Sequence, residues 1–154
     1  MKEILFVCTG NTCRSPMAQV LLQNEMKSAG FFDRQVVSAG LAALEKSPAS
    51  VYAQAAVQEI GLSLAQHQAR QLSWPMLVAA DLVLTMGSRH KMVILDAYPA
   101  LSGKVWTLAE YAGETGDITD PYGGDLQVYR KCLTALQYYI DCVWKKIKTM
   151  EAGK

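Results

Sequence analysis

Charge is scarce in this chain and almost evenly split. Fifteen Lys and Arg face fourteen Asp and Glu, a formal net charge of +1, and charged residues make up 19% of 154, against about 25% in an average globular protein. That balance excludes a surface built to coat nucleic acid or an anionic membrane, so any anion must be held by a local set of donors. Long hydrophobic runs are also missing, and no stretch reaches the roughly 18 apolar residues of a membrane-spanning helix. The run after Met1-Lys2-Glu3 is only Ile4-Leu5-Phe6-Val7, too short for a signal-peptide core, and the chain is expected to be cytoplasmic. Neither Gly-Lys-Ser/Thr nor Gly-x-Gly-x-x-Gly occurs, which disfavours a nucleotide P-loop and a dinucleotide fold. The histidines are only His67 and His90, and Cys8, Cys13, Cys132 and Cys142 fit no zinc-finger spacing. In a reducing compartment these cysteines read as chemistry or packing before disulfides.

What is present is an apolar fraction of 51%, which excludes intrinsic disorder. There are no repeats and no linker, and residues 1–154 read as one domain. Short apolar runs predict strands at 4–7, 35–38, 81–86 and 104–108. Between them lie helical patterns. One has Pro16 in its first turn with Met17, Val20, Leu21 and Met26 on one face; a second has Ser50 as N-cap, Val51, Ala55 and Ile60 inward, and Gly61 at its end. A third runs from Ser88 to Ala97. In the last, Leu126, Tyr129, Leu133, Leu136, Ile140, Val143 and Ile147 form one stripe. The alternation predicts an α/β fold: a four-stranded parallel sheet, flavodoxin-like order 2-1-3-4, flanked by helices on both faces. Ligands of such sheets bind beyond the carboxyl ends of the strands, at the switch point beside the first.

The segment Cys8-Thr9-Gly10-Asn11-Thr12-Cys13-Arg14-Ser15 occupies that place. A short loop closing onto a helix N-terminus turns backbone N–H groups inward and makes a nest for a tetrahedral anion. Gly10 is expected to supply the unusual dihedrals of the curl. Arg14 adds a planar fork for two phosphate oxygens. The same donors favour a nucleophilic thiolate at Cys8. Taken alone, a cysteine after a strand is usually a small buried hydrophobe; the strand before it, the glycine inside and the Ser-Pro and helix after it argue for a phosphate loop.

The run from Val7 to Ala18 resembles the signature of the low-molecular-weight protein tyrosine phosphatase family. Ser38-Ala39-Gly40, His67-x-Ala69-Arg70-Gln71 and Asp120-Pro121-Tyr122-Gly123-Gly124 follow in the family's order. The resemblance implies phosphoryl transfer without metal or cofactor. Cys8 would attack phosphorus, while Arg14 and the N–H groups of Thr9, Gly10, Asn11, Thr12 and Cys13 would hold the oxygens. Asp120 would protonate the leaving group and then activate water. Asn11, Ser15, Ser38 and His67 would form a supporting polar network. Their ordinary readings are a turn residue, an N-cap, a strand-end hydroxyl and a satisfied histidine. The family also implies a reversible Cys8–Cys13 disulfide under oxidation, whereas Cys132 and Cys142 read as packing residues. Phosphorylated proteins would be the partners, inorganic phosphate the product, and the chain would act as a monomer.

Thr12 points to a branch of the family. Tyrosine-directed members typically carry a bulky aliphatic there, and Thr12 resembles the bacterial protein arginine phosphatases. Val105-x-Thr107-Leu108-x-Glu110-Tyr111 and Gly116-Asp117 match that branch too, while Tyr122 also suits tyrosine-directed relatives. A guanidinium tolerates a hydroxyl beside it and gains from the Asp120 carboxylate and the Tyr122 ring. Phosphoarginine is therefore the expected substrate and phosphotyrosine the alternative. A thioredoxin-linked arsenate reductase has a similar loop, but it needs resolving cysteines after the third strand, where residues 85–91 hold none.

Overall fold

The computed structural model describes residues 1–153. Strands β1 (Glu3–Cys8), β2 (Gln35–Gly40), β3 (Leu82–Thr85) and β4 (Val105–Thr107) form one parallel sheet in the order β2-β1-β3-β4, as the alternation of segments predicts. The first helix, α1 (Arg14–Ser28), follows β1, and α2 (Val51–Glu59) and α3 (Trp74–Ala79) lie between β2 and β3. After β3 comes α4 (Ser88–Ala97), and after β4 come α5 (Leu108–Tyr111) and α6 (Leu126–Ala152). Among the described residues no helix is long and apolar enough to cross a membrane.

Alternation along β1 divides the interior into two layers. Ile4, Phe6 and Cys8 enter a cluster with α1, α2, α5 and α6. Leu5 and Val7 enter the opposite one, with Leu77 of α3 and Ile94 of α4. Cys8 therefore ends the central strand at the sheet's carboxyl edge, where the chain connects to strands on either side.

The stripe of α6 lies against α1 and α2, so this helix covers its own sheet rather than forming a coiled-coil seam; Tyr129, Leu133, Leu136, Ile140, Val143 and Ile147 are all buried. Asp125 caps it, its carboxylate accepting Val128 N–H at 3.1 Å. Two expectations need correction, and one element was not foreseen. The inward face of α2 is Ala53, Ala56 and Val57, while Val51 and Ile60 are exposed; its alanines let α2 sit close to α6 but give a weak hydrophobic signal. The fourth strand stops at Thr107, because Thr107 and Glu110 form a capping box that starts α5. Finally, α3 was not anticipated: it is a short helix with Pro75 in its first turn.

Candidate active site

Between Cys8 and Arg14 the chain makes a tight curl. Cys8 Sγ accepts Asn11 N–H at 3.3 Å and shares a hydrogen bond with Ser15 Oγ at 2.9 Å. Asn11 is the pivot. It is fully buried and left-handed, with φ 57, a conformation asparagine tolerates better than most residues. Its Nδ2 donates to Ser15 Oγ and to Ser38 Oγ, both at 2.9 Å, and its Oδ1 accepts Arg70 N–H at 2.9 Å. With Ser15 receiving from Asn11, the Ser15 proton is directed to the sulfur. A second branch runs from Ser38 Oγ to Gln19 Oε1 at 2.6 Å. His67 Nε2 donates to Asn11 O at 2.7 Å, and its burial holds the imidazole below the ordinary histidine pKa.

Two readings of the loop change. The left-handed residue is Asn11, and Gly10 is absent from the positive-φ positions; a Cβ on Gly10 would meet only Thr12 Oγ1, at 3.8 Å. The glycine the loop requires is Gly40. A Cβ there would lie 2.5 Å from Thr9 O and 3.0 Å from Asn11 N, backbone atoms that cannot give way. Around it Leu41 N–H reaches Cys8 O and Ala42 N–H reaches Thr9 O, so the end of β2 fastens the start of the curl.

Arg14 is the first residue of α1, and its guanidinium is nearly buried. Nη1 donates to Ile118 O at 3.0 Å, and Nη2 lies 3.6 Å from Asp120 Oδ2. The Asp120 carboxylate is half-exposed and accepts Tyr122 N–H at 3.1 Å, an Asx turn that starts the Pro121-Tyr122 corner. No side chain caps α1 at Cys13. Cys8, Thr9, Gly10, Thr12, Cys13, Arg14, Asp120 and Tyr122 surround a pocket of about 240 Å³, so every residue named for chemistry or specificity meets at one opening. Asn11, Ser15, Ser38 and His67 lie behind it.

Cys13 is buried, within hydrogen-bond reach of Ser50 Oγ (3.4 Å), Tyr129 OH (3.3 Å) and Thr12 Oγ1 (3.6 Å). Burial and the Cys13 contact push the Tyr129 phenol up to about 12. All four cysteines are free thiols, and burial raises Cys132 to about 12 as well, in keeping with a packing residue.

Sequence reasoning missed Gln19, Ser50, Tyr129 and His90. His90 Nε2 lies 3.0 Å from Thr9 Oγ1, and its Nδ1 faces Gly87 N–H at 3.1 Å. Its position in the first turn of α4, directly after β3 at the sheet's carboxyl edge, was the available signal.

This geometry has counterparts. The family model described as low molecular weight phosphotyrosine protein phosphatase matches residues 3–151. A protein-arginine-phosphatase of Geobacillus stearothermophilus is 43% identical over 148 residues, 96% of this chain and 97% of the relative. A solved arginine phosphatase structure from the same organism superposes with a TM-score of 0.92 at 41% identity, covering 99% of this chain and 97% of that one. At the same 41% identity, a low molecular weight protein tyrosine phosphatase from T. tengcongensis superposes at 0.91, over 95% of this chain and 99% of that one. Sequence and fold thus agree over nearly the whole length, and this chain belongs to the low-molecular-weight protein tyrosine phosphatase family.

Proposed function

We propose that this phosphatase removes phosphoryl groups from phosphoarginine in proteins, through a covalent intermediate on Cys8. The Cys8 thiolate attacks phosphorus in line, and the bond from phosphorus to the guanidino nitrogen breaks. Asp120, in its acid form, gives its proton to that nitrogen, so a guanidinium departs. Water then attacks the phosphocysteine, Asp120 takes its proton, and the sulfur–phosphorus bond breaks to release inorganic phosphate and the thiolate. Charge on the transferring oxygens is met by Arg14 and by the loop amides at the uncapped start of α1. The observation that carries this reading is the convergence of Cys8, Arg14 and Asp120 on one pocket, with Arg14 and Asp120 3.6 Å apart.

Thr12 supports the substrate assignment. It lines the pocket beside Cys8, so a hydroxyl stands where an aliphatic wall would suit an aromatic ring. The Asp120 carboxylate and the Tyr122 ring border the same opening and suit a cation. One observation favours phosphotyrosine instead: Tyr122 is 81% exposed at the rim, available to stack on a ring. The test compares kcat/KM on one peptide sequence bearing phosphoarginine or phosphotyrosine. A preference for phosphoarginine is expected, and a preference for phosphotyrosine overturns the assignment.

A further inference from the structure

We propose that His90 is a positioning residue for phosphate binding: it holds the Thr9 hydroxyl so that the Thr9 proton is aimed into the pocket. The proposal rests on the phosphatase reading of that pocket and adds a residue outside its rim. The hydrogen bonds fix the tautomer. Gly87 N–H donates to Nδ1 at 3.1 Å, so Nδ1 carries no proton, and the neutral ring must carry it on Nε2. Nε2 therefore donates to Thr9 Oγ1 at 3.0 Å. A hydroxyl that accepts from one side keeps its own hydrogen to donate, and Thr9 lines the pocket.

The same imidazole also stands in for the Glu or Gln of a capping box, as the third residue of α4 accepting from the N-cap amide. The start of α4 is tied to the acid-bearing segment as well, because Asp117 accepts Ser88 N–H at 2.9 Å and Ile118 N–H reaches Met86 O at 2.8 Å. Protonation of His90 would set a second donor against Gly87 N–H and break the arrangement. The surroundings resist this. Burial is the main cause that lowers the His90 pKa, Arg14 and Arg89 add to it, and Asp117 and Asp120 oppose it. The neutral ring is the working form near pH 7. In the folded protein it is lost only as pH falls through the lowered value, below the ordinary histidine value near 6.5.

His90→Asn separates positioning from capping, because its amide reaches only the Nδ1 position, whereas Gln, which also suits a capping box, extends to the Nε2 position. The readouts are inorganic phosphate affinity by calorimetry and kcat/KM on a small aryl phosphate across pH. His90→Gln should bind phosphate within about threefold of wild type and lose the acid-side inflection contributed by His90. His90→Asn and His90→Ala should both weaken phosphate binding by about tenfold, the scale of one hydrogen bond to a charged group. Thr9→Val should match that loss, and the Thr9→Val/His90→Ala double variant should fall no further. Additive losses, or a wild-type-like His90→Asn beside a weakened His90→Gln, would reduce His90 to a helix cap and overturn the proposal. Wild-type protein that binds phosphate but turns over no phosphorylated substrate would instead overturn the phosphatase reading and leave the His90 comparison readable.

Discussion

Asn11→Ala removes the pivot of the loop, and the structure sets the size of the loss. Three side-chain hydrogen bonds disappear, to Ser15, Ser38 and Arg70, each worth about 1 kcal/mol net when buried. Alanine at φ 57 adds about 1 kcal/mol of left-handed strain, for a total of about 4 kcal/mol. In a protein of this size about 2–4 °C of Tm accompany each kcal/mol, so a fall of roughly 8–16 °C is expected. Asn11→Gly loses the same bonds without the strain and should be about 1 kcal/mol milder. Urea unfolding measures both, and kcat/KM on an aryl phosphate follows the site. Activity should fall by about 10²-fold in both variants, because the Ser15 proton and the loop amides lose their aim. A stability loss below about 1 kcal/mol, or full turnover in either variant, would refute the idea that this network shapes the site.

Other changes probe separate parts of the account. Asp120→Asn should lower kcat by about 10²–10⁴-fold, with a smaller loss for an aryl phosphate whose leaving group needs little protonation; equal losses on all substrates count against a general acid. Gly40→Ala forces a Cβ to 2.5 Å from Thr9 O and should cost at least about 1–3 kcal/mol together with most of the activity; a variant of normal stability and rate would show that the contact yields freely. With peroxide, the Cys8 thiolate should become a sulfenic acid that the Cys13 thiol displaces, giving a disulfide and water. Thiol should then restore the wild type but not Cys13→Ser, and full recovery of that variant would remove Cys13 from the redox cycle. Thr12→Ile should move the phosphoarginine-to-phosphotyrosine ratio of kcat/KM toward phosphotyrosine by roughly ten- to two-hundredfold, and an unchanged ratio would make Thr12 a spacer.

The strands and the loop from Cys8 to Arg14 were legible because they are written locally, as apolar runs and a contiguous segment; the order of the strands followed from the flavodoxin-like topology that right-handed parallel crossovers favour. Asp120 became readable through family resemblance, since an Asp-Pro turn by itself is ordinary. The polar partners were harder. Ser50 and Tyr129 reach Cys13 from α2's cap and from α6, and only packing brings such distant segments together. His90 has no role legible in the sequence, because its partners are a backbone amide and a threonine hydroxyl, neither of which leaves a pattern there. The inward face of α2 was misread for a related reason: Ala53 and Ala56 bury fully, but their small side chains give a weaker signal than the exposed Val51 and Ile60.

The central claim is that phosphoryl transfer passes through Cys8. Wild-type protein mixed rapidly with excess aryl phosphate and quenched in acid tests it most directly, with the modified residue located by mass spectrometry. One phosphoryl group on Cys8, formed with a burst of one equivalent of phenol and absent from Cys8→Ala, is the predicted result. Turnover with no label on Cys8, or with the label on another residue, would contradict it.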